Sequence, residues 1–167
     1  MRPLQRLLFL IIILNSAGCG IYSFSGASIS PDVKTFSVQF FPNRAQLVQP
    51  ILSQAFTEKI KEKFISQTNL RQLDRNGDLQ FEGYITDYKA SPVAIQGTQT
   101  AALNRLTISV FVKFTNRVDP KQDFETNFSR YADYDSRKSL QEVEVGLIEE
   151  INRQLVDDIF NKSVSNW

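Results

Sequence analysis

The 167-residue chain contains no histidine, and only one cysteine, one methionine and one tryptophan. Without histidine it lacks the commonest general base and the commonest zinc ligand, and it can form no Ser-His or Cys-His nucleophile pair. A single cysteine excludes a disulfide within the chain, so an exported domain of this sequence must be stabilised by its apolar core alone. These absences argue against an enzyme and favour a protein that works through its surface.

An excess of one charge sign is also missing. The chain has 19 Lys and Arg residues against 18 Asp and Glu residues, a formal net charge of +1, so it has no overall basic field of the kind that nucleic-acid binding uses. Its acidic pairs are Asp133-Tyr-Asp135, expected at a strand end, and Asp157-Asp158, expected on a solvated helix face. We therefore predict no metal site, no cofactor, no catalytic residue and no nucleic-acid partner.

The N-terminus has the pattern of an export signal. Arg2 and Arg6 lie close to the N-terminus, and residues 7–14 form an unbroken apolar run. The small residues 16–18 then precede Cys19. The apolar run is well short of the roughly 20 residues that a membrane-spanning helix needs. We predict a lipoprotein signal peptide over residues 1–18 and lipidation of Cys19, although Ser16 stands where the lipobox usually has Leu. The alternative is an ordinary cleaved signal peptide followed by a chance cysteine.

Lipidation of Cys19 determines the expected location. Two or more acyl chains, palmitate among them, give durable membrane attachment. Gly20 follows the cysteine where Asp would stand in many Gram-negative lipoproteins retained in the inner membrane, and this favours the outer membrane. The next residues carry no acidic cluster, which favours its periplasmic face. We expect a lipidated tether over residues 19–33 and one folded domain over residues 34–167, long enough for a real core.

The hydropathy pattern predicts the element order β-α-β-β-β-α. Period-two alternation indicates strands, and apolar residues every three or four positions indicate helices. The predicted strands are 34–41, 79–88, 105–115 and 124–131, the predicted helices are 50–67 and 140–164, and residues 89–101 are expected to be irregular. Two amphipathic helices need an apolar surface to cover. The predicted fold is therefore an α/β (α+β) two-layer sandwich, with a four-stranded mixed sheet and both helices on one face.

Some side chains can be assigned to faces in advance. In the first strand, Phe36, Val38 and Phe40 are expected to share one face. In the first helix, Leu52, Phe56, Ile60 and Phe64 form an apolar stripe, which Val48, Ile51 and Ala55 flank.

The third predicted strand divides into two faces. If the stretch from Leu106 to Phe114 turns its even positions to the helices, the odd positions face a side of the sheet that no helix covers. The side chains expected on that side are Arg105, Phe111 and Lys113, with Tyr84, Tyr88 and Tyr131 as possible neighbours. Aromatic and cationic side chains on an open sheet suit docking of a protein or an anionic amphiphile. The alternative is an ordinary half-solvated sheet.

Several stretches together resemble one protein family through their order and spacing, which span essentially the whole mature chain. They are Cys19–Phe24, Phe41–Ala45, Phe64–Leu70, Ala101–Leu106, Lys121–Glu125 and Glu149–Asn152. The chain resembles the lipopolysaccharide-assembly lipoproteins called LptE, in the variant found in the Bacteroidetes branch.

The resemblance implies a non-enzymatic lipoprotein with a four-stranded sheet and two helices. It also implies a role as a plug inside the outer-membrane β-barrel LptD, where such proteins assist barrel assembly and the passage of lipopolysaccharide to the cell surface. Basic residues of the family are thought to contact the glycolipid. Position in the predicted fold selects Arg105 and Lys113 on the open sheet face, with Lys89 at the loop edge. The alternative is a free-standing amphiphile-binding or structural periplasmic lipoprotein, which would need an apolar cavity between sheet and helices.

Overall fold

The computed structural model describes residues 29–93 and 102–164, and the predicted signal peptide and Cys19 lie outside them. Within the described residues the chain forms one five-stranded sheet, two α-helices and a short 3₁₀ turn. The elements are β1 (Thr35–Val38), α1 (Pro50–Gln67), β2 (Arg71–Leu73), β3 (Leu79–Val93), β4 (Leu103–Asn116), the 3₁₀ turn Pro120–Gln122, β5 (Phe124–Asp135) and α2 (Leu140–Val164).

The sheet is mixed, with strand order β2-β1-β3-β4-β5. β1 runs parallel to both of its neighbours, and β3, β4 and β5 form an antiparallel meander. The two-layer α+β prediction is confirmed, but the strand count of four was one too low. The missed strand, β2, has only the residues Arg-Gln-Leu at the sheet edge, which is too short for an alternating pattern to be recognisable.

β3 differs most from the sequence prediction. It continues to Val93, so residues 89–93 belong to the strand and are not irregular. The register with β4 shifts between Ile85 and Asp87, and such a bulge reverses which side chains face the helices. Tyr88 was expected on the open face. It instead lies on the helix side, is 5% exposed, and donates its hydroxyl hydrogen to the Glu144 carboxylate of α2.

The β1 prediction is right at its start and wrong at its end. Phe36 and Val38 are buried as expected, but Phe40 is 60% exposed and Phe41 is fully buried. The strand ends at Val38. The Phe41 N–H then donates to Thr57 Oγ1 of α1 at 3.1 Å, which holds this residue against the helix. The alternation therefore changes phase between residues 38 and 41.

α1 and α2 lie side by side and run in the same direction. Near their C-terminal ends, the rings of Phe64 and Phe160 are 5.0 Å apart and Lys63 Nζ lies 2.7 Å from Asp157 Oδ1. The predicted stripe of α1 is confirmed, since Leu52, Phe56, Ile60 and Phe64 are all 0% exposed. Its expected flanking residues Val48, Ile51 and Ala55 are exposed to solvent instead.

Phe64 is the centre of the core. Its ring centroid lies 5.3 Å from that of Phe36 in β1, 4.7 Å from Phe81 in β3 and 5.0 Å from Phe160 in α2. One aromatic side chain therefore connects α1 to two strands and to the other helix. Tilted aromatic pairs at these separations are favourable beyond the area that they bury.

The turn before β3 packs against the backbone of β1. Asn76 has a φ of 60°, a conformation that Asn tolerates better than most residues. Gly77 follows and donates its N–H to Ser37 Oγ at 3.1 Å. A Cβ on Gly77 would lie 2.5 Å from the carbonyl carbon of Phe36. Glycine is therefore required here by the close approach of two backbone segments.

Asp78 binds the backbone at the start of β1. Its Oδ2 accepts hydrogen bonds from Lys34 N at 2.9 Å, Thr35 N at 2.9 Å and Thr35 Oγ1 at 2.8 Å. These bonds, the one from the Lys34 backbone above all, lower the pKa of Asp78. Just upstream, Ile29 packs on the core and Val33 is 4% exposed. The chain is thus held to the domain from residue 29 onward.

Candidate docking surface on the open sheet face

The two faces of the meander are chemically distinct. In β4, Leu106, Ile108 and Val110 are fully buried on the helix side, and the residues between them face the other way, as predicted from the alternation. No described element covers this second side of β3, β4 and β5. We term it the open sheet face, and its principal side chains are Glu82, Tyr84, Lys89, Arg105, Thr107, Ser109, Phe111, Lys113, Glu125, Ser129, Tyr131 and Asp133.

Arg105 is held in place by its neighbours on β5. The register sets it directly opposite Asp133, and two hydrogen bonds join them, Nε to Oδ1 at 2.7 Å and Nη2 to Oδ2 at 2.9 Å. The guanidinium carbon also lies 3.5 Å from the centroid of the Tyr131 ring. The hydrogen bonds from Arg105 lower the pKa of Asp133. Arg105 therefore presents an oriented donor group whose charge is balanced by an adjacent carboxylate.

Lys113 lies between two carboxylates. Glu82 of β3 and Glu125 of β5 are its cross-strand partners. Lys113 Nζ is 3.8 Å from Glu125 Oε1, and the Lys113 side chain is 49% exposed. Glu82 also accepts a hydrogen bond from Gln39 Nε2 at 2.6 Å. This end of the open sheet face is polar, and its one lysine and two glutamates sum to a formal charge of −1.

Lys89 differs because it forms no ion pair with any residue that the structure describes. It is exposed and lies opposite Thr107. Thr107 is two positions from Arg105, so Lys89 and Arg105 are diagonal neighbours about 7–8 Å apart. Lys113 is eight residues from Arg105 on the same strand, about 26 Å away at the rise of a β-strand. The structure therefore brings together two of the three predicted glycolipid-binding residues and places the third at the far end.

The middle of the open sheet face carries an aromatic pair. The rings of Tyr84 and Phe111 are 5.3 Å apart, and the guanidinium carbon of Arg44 lies 4.2 Å from the Tyr84 centroid. Arg44 was not among the predicted residues. It reaches the sheet because Asn43 bridges to Ile85 beside the bulge, and no local sequence pattern indicates that contact.

The acidic pairs considered as metal ligands are used in ion pairs. Each of their four carboxylates contacts a cation: Asp133 with Arg105, Asp135 with Arg137, Asp157 with Lys63 and Asp158 with Arg130. The hydrogen bonds from Arg137 lower the pKa of Asp135 to about 2. In residues 29–93 and 102–164, no three His, Cys, Asp or Glu side chains are grouped to hold a metal ion. The chemistry available on the open sheet face is hydrogen bonding, charge pairing and aromatic contact.

Neither helix of the described chain combines the length and apolar character needed to cross a membrane.

Solved structures share this fold at low sequence identity. A minor lipoprotein from Acinetobacter baumannii superposes with a TM-score of 0.51 and 12% identity, covering 78% of this chain and 92% of its own. A hypothetical protein from Chlamydia trachomatis gives a TM-score of 0.52 and 11% identity, covering 80% of this chain and 99% of its own. At such identities the similarity establishes the fold and nothing more.

Family membership comes from the sequence itself. No curated protein sequence matches the chain significantly. The sequence profile of one family, LptE, described as lipopolysaccharide-assembly, matches residues 33–163. That match covers well over half of the chain and nearly all of the described domain, so the predicted resemblance is confirmed. The chain belongs to the LptE family of lipopolysaccharide-assembly proteins.

Proposed function

We propose that this protein is a non-catalytic outer-membrane lipoprotein that binds a β-barrel of the LptD type. In this role it plugs the barrel, assists its assembly and helps to deliver lipopolysaccharide to the cell surface. Membership of the LptE family supports the general role in lipopolysaccharide assembly. The barrel partnership is the finer proposal, and the character of the open sheet face supports it.

The open sheet face suits the polar interior of a large barrel. Outer-membrane barrels have a polar lumen, so a plug needs a polar surface whose charges are already compensated. The Arg105–Asp133 and Lys113–Glu125 pairs supply that compensation, and Ser109 Oγ and Ser129 Oγ are hydrogen-bonded at 2.8 Å between them. We propose that this face contacts the lumen wall.

The proposed lipid anchor limits how far the domain can move. Removal of the predicted signal peptide 1–18 would leave Cys19 as the lipidated residue. Because the chain is held to the domain from Ile29 onward, only the stretch between these two residues separates lipid from domain. Fully extended, it reaches at most about 36 Å. The domain would thus work within one barrel height of the periplasmic face of the outer membrane.

Two separate regions of the open sheet face are proposed to contact the glycolipid. Lys89 and Arg105 lie close enough to contact one phosphate group. Lys113, about 26 Å along the same strand from Arg105, would contact a different part of the molecule or a second one. Lys89 is expected to contribute most, because its charge is not paired with any described carboxylate.

Depletion combined with affinity purification tests the proposed function. The full-length tagged protein is purified from detergent-solubilised membranes, and lipopolysaccharide at the cell surface is measured with and without depletion. The proposal predicts a large outer-membrane barrel in the eluate and a loss of surface lipopolysaccharide on depletion. An eluate without a barrel, together with normal surface lipopolysaccharide, would refute it.

A free-standing carrier of amphiphiles is less well supported. Such a protein needs a sizeable apolar cavity between sheet and helices. At the level of Phe64 that layer is filled, since three neighbouring rings lie within 5.3 Å of the Phe64 ring. An acyl chain could enter there only by displacing core side chains.

A further inference from the structure

A second surface lies between the two helices, on the side turned away from the sheet. It is a groove of about 270 Å³, and its apolar lining comes from Ile51 and Ala55 of α1 and Val145 and Ile148 of α2. Ile51 is 49% exposed and Val145 is 68% exposed. Apolar side chains that line a groove and remain exposed together mark an interaction site more strongly than the same residues scattered singly. We term this surface the interhelix groove.

Asn152 gives the interhelix groove an unsatisfied polar atom. Its side chain lines the groove and is 2% exposed, yet the buried Oδ1 accepts no hydrogen bond from any described residue. Buried polar atoms in folded proteins nearly always have a partner, because an unpaired acceptor has lost its water without replacement. If the Asn152 side chain turns toward the groove, an N–H donor of a bound ligand would supply the missing bond.

Gly146 leaves room beside the groove. It lies in the interior of α2, where glycine weakens a helix relative to alanine. A Cβ added to Gly146 would meet no atom within 4 Å, so packing within the described domain does not require a glycine. The missing side chain permits the backbone of a partner to approach α2 closely.

The charged side chains that line the interhelix groove carry a negative excess, three glutamates against the single cation Lys59. The first half of α2, residues 140–152, carries four glutamates, and the nearest cation of that helix is Arg153 one residue further on. Among them, Glu149 lines the groove and forms no ion pair with a described residue. On α1, Glu58 and Glu62 are already balanced by lysines at 2.8 and 3.5 Å. The unbalanced charge is therefore negative and lies on the α2 side.

From these features we infer that the interhelix groove binds a cationic amphipathic helix of a partner protein. The α1 lining runs from Ile51 to Glu62, about 16 Å or three helical turns. The apolar side of the bound helix contacts Ile51 and Val145, and its Lys or Arg side chains face Glu149. Binding in this groove goes beyond the proposed barrel partnership and does not depend on the open sheet face.

A designed peptide tests the inference directly. The probe is a labelled amphipathic helix of about 18 residues built from Leu and Lys, and a Leu and Glu version is its counterpart. The full-length mature lipoprotein is held in phosphatidylcholine nanodiscs with empty nanodiscs as the blank, and fluorescence anisotropy gives the Kd. We expect saturable binding of the Leu/Lys peptide, and binding at least about tenfold weaker for the Leu/Glu peptide.

Substitutions test whether the peptide binds in the interhelix groove or elsewhere on the two helices. Ile51→Ser combined with Val145→Ser is expected to weaken binding about tenfold, and Glu149→Lys about fivefold. Ile65→Ser is the matched control, because Ile65 is 56% exposed on α1 and does not line the groove, so its Kd should match wild type. Gly146→Ala is expected to raise the Tm of the free chain and still weaken binding, which excludes unfolding as the cause.

Three results would overturn the inference. One is equal binding of the Leu/Lys peptide to wild type and to the double serine variant, or no binding at all. Another is equal binding of the Leu/Glu peptide, because the glutamates would then have no role. The third is a dimer of the chain that the double serine substitution converts to a monomer, since the groove would then be occupied by a second copy.

Discussion

Replacing Phe64 by alanine should strongly destabilise the domain, whereas the same change at the next residue should not. Phe64 is 0% exposed and Ile65 is 56% exposed, although both are apolar residues of α1. Truncation of a fully buried Phe typically costs 3–5 kcal/mol, which combines lost burial with the cavity that remains. Phe64 falls in the upper part of that range, about 4–5 kcal/mol, because its three ring contacts each add to the area term.

Thermal unfolding measures this difference. For a domain between 100 and 150 residues, 1 kcal/mol shifts the Tm by about 4 °C, so Phe64→Ala should lower the Tm by about 16–20 °C. Ile65→Ala should change it by less than about 2 °C, since exposed substitutions fall within about 0.5 kcal/mol. The assay is far-UV circular dichroism of the mature chain, with urea unfolding as a check. Equal Tm values for the two variants would refute the placement of Phe64 at the centre of the core.

Three further predictions address the open sheet face, the turn before β3 and Gly146 in α2. Asp133→Asn should raise the affinity for lipopolysaccharide about fivefold, measured by surface plasmon resonance, because it releases the Arg105 guanidinium; unchanged or weaker binding would count against a glycolipid contact there. Because the pKa of Asp78 is lowered in the folded state, the ionised carboxylate stabilises the fold at pH values above the ordinary pKa of 3.8. This stabilisation is lost as the pH falls through the lower folded-state pKa. The Tm gap between wild type and Asp78→Asn should therefore be wide at pH 6 and narrow at pH 2.5, and a constant gap would contradict this. Gly77→Ala should destabilise the domain by about 1–3 kcal/mol, whereas Gly146→Ala should stabilise it by about 0.5–1 kcal/mol. Urea unfolding midpoints measure both changes. Midpoints that shift in the same direction for the two variants would be inconsistent with the structure.

The parts of the fold that were predictable are those where local spacing alone determines burial. The four-residue spacing from Leu52 to Phe64 fixes the buried side of α1, and the alternation of β4 fixes which side of the sheet carries Arg105 and Lys113. In both elements a single continuous pattern covers the whole length, so no long-range contact can change its phase.

The parts that were missed depend on contacts distant in sequence. The bulge after Ile85 reverses the facing of Tyr88, and it lies where Asn43 joins the sheet. Arg44 reaches Tyr84 by the same route. β2 forms because β1 offers a parallel edge to three residues that have no pattern of their own.

The candidate sites show the same division. Alternation identified Arg105 and Lys113 as surface cations, but their pairing with Asp133 and Glu125 follows from the β4–β5 register. That register depends on the whole hairpin and cannot be deduced from either strand separately. The interhelix groove was missed because the apolar stripe of α1 is wider than the area that α2 and the sheet cover, which leaves Ile51 exposed.

Photo-crosslinking in living cells tests most directly the central claim that the open sheet face contacts an LptD-type barrel. Benzoylphenylalanine is placed at Ser109, in the middle of that face, and at Ile65 on the outer side of α1. The account predicts an adduct between the Ser109 variant and a large outer-membrane barrel, with a much weaker adduct from the Ile65 variant. No barrel adduct from Ser109, with or without one from Ile65, would contradict it.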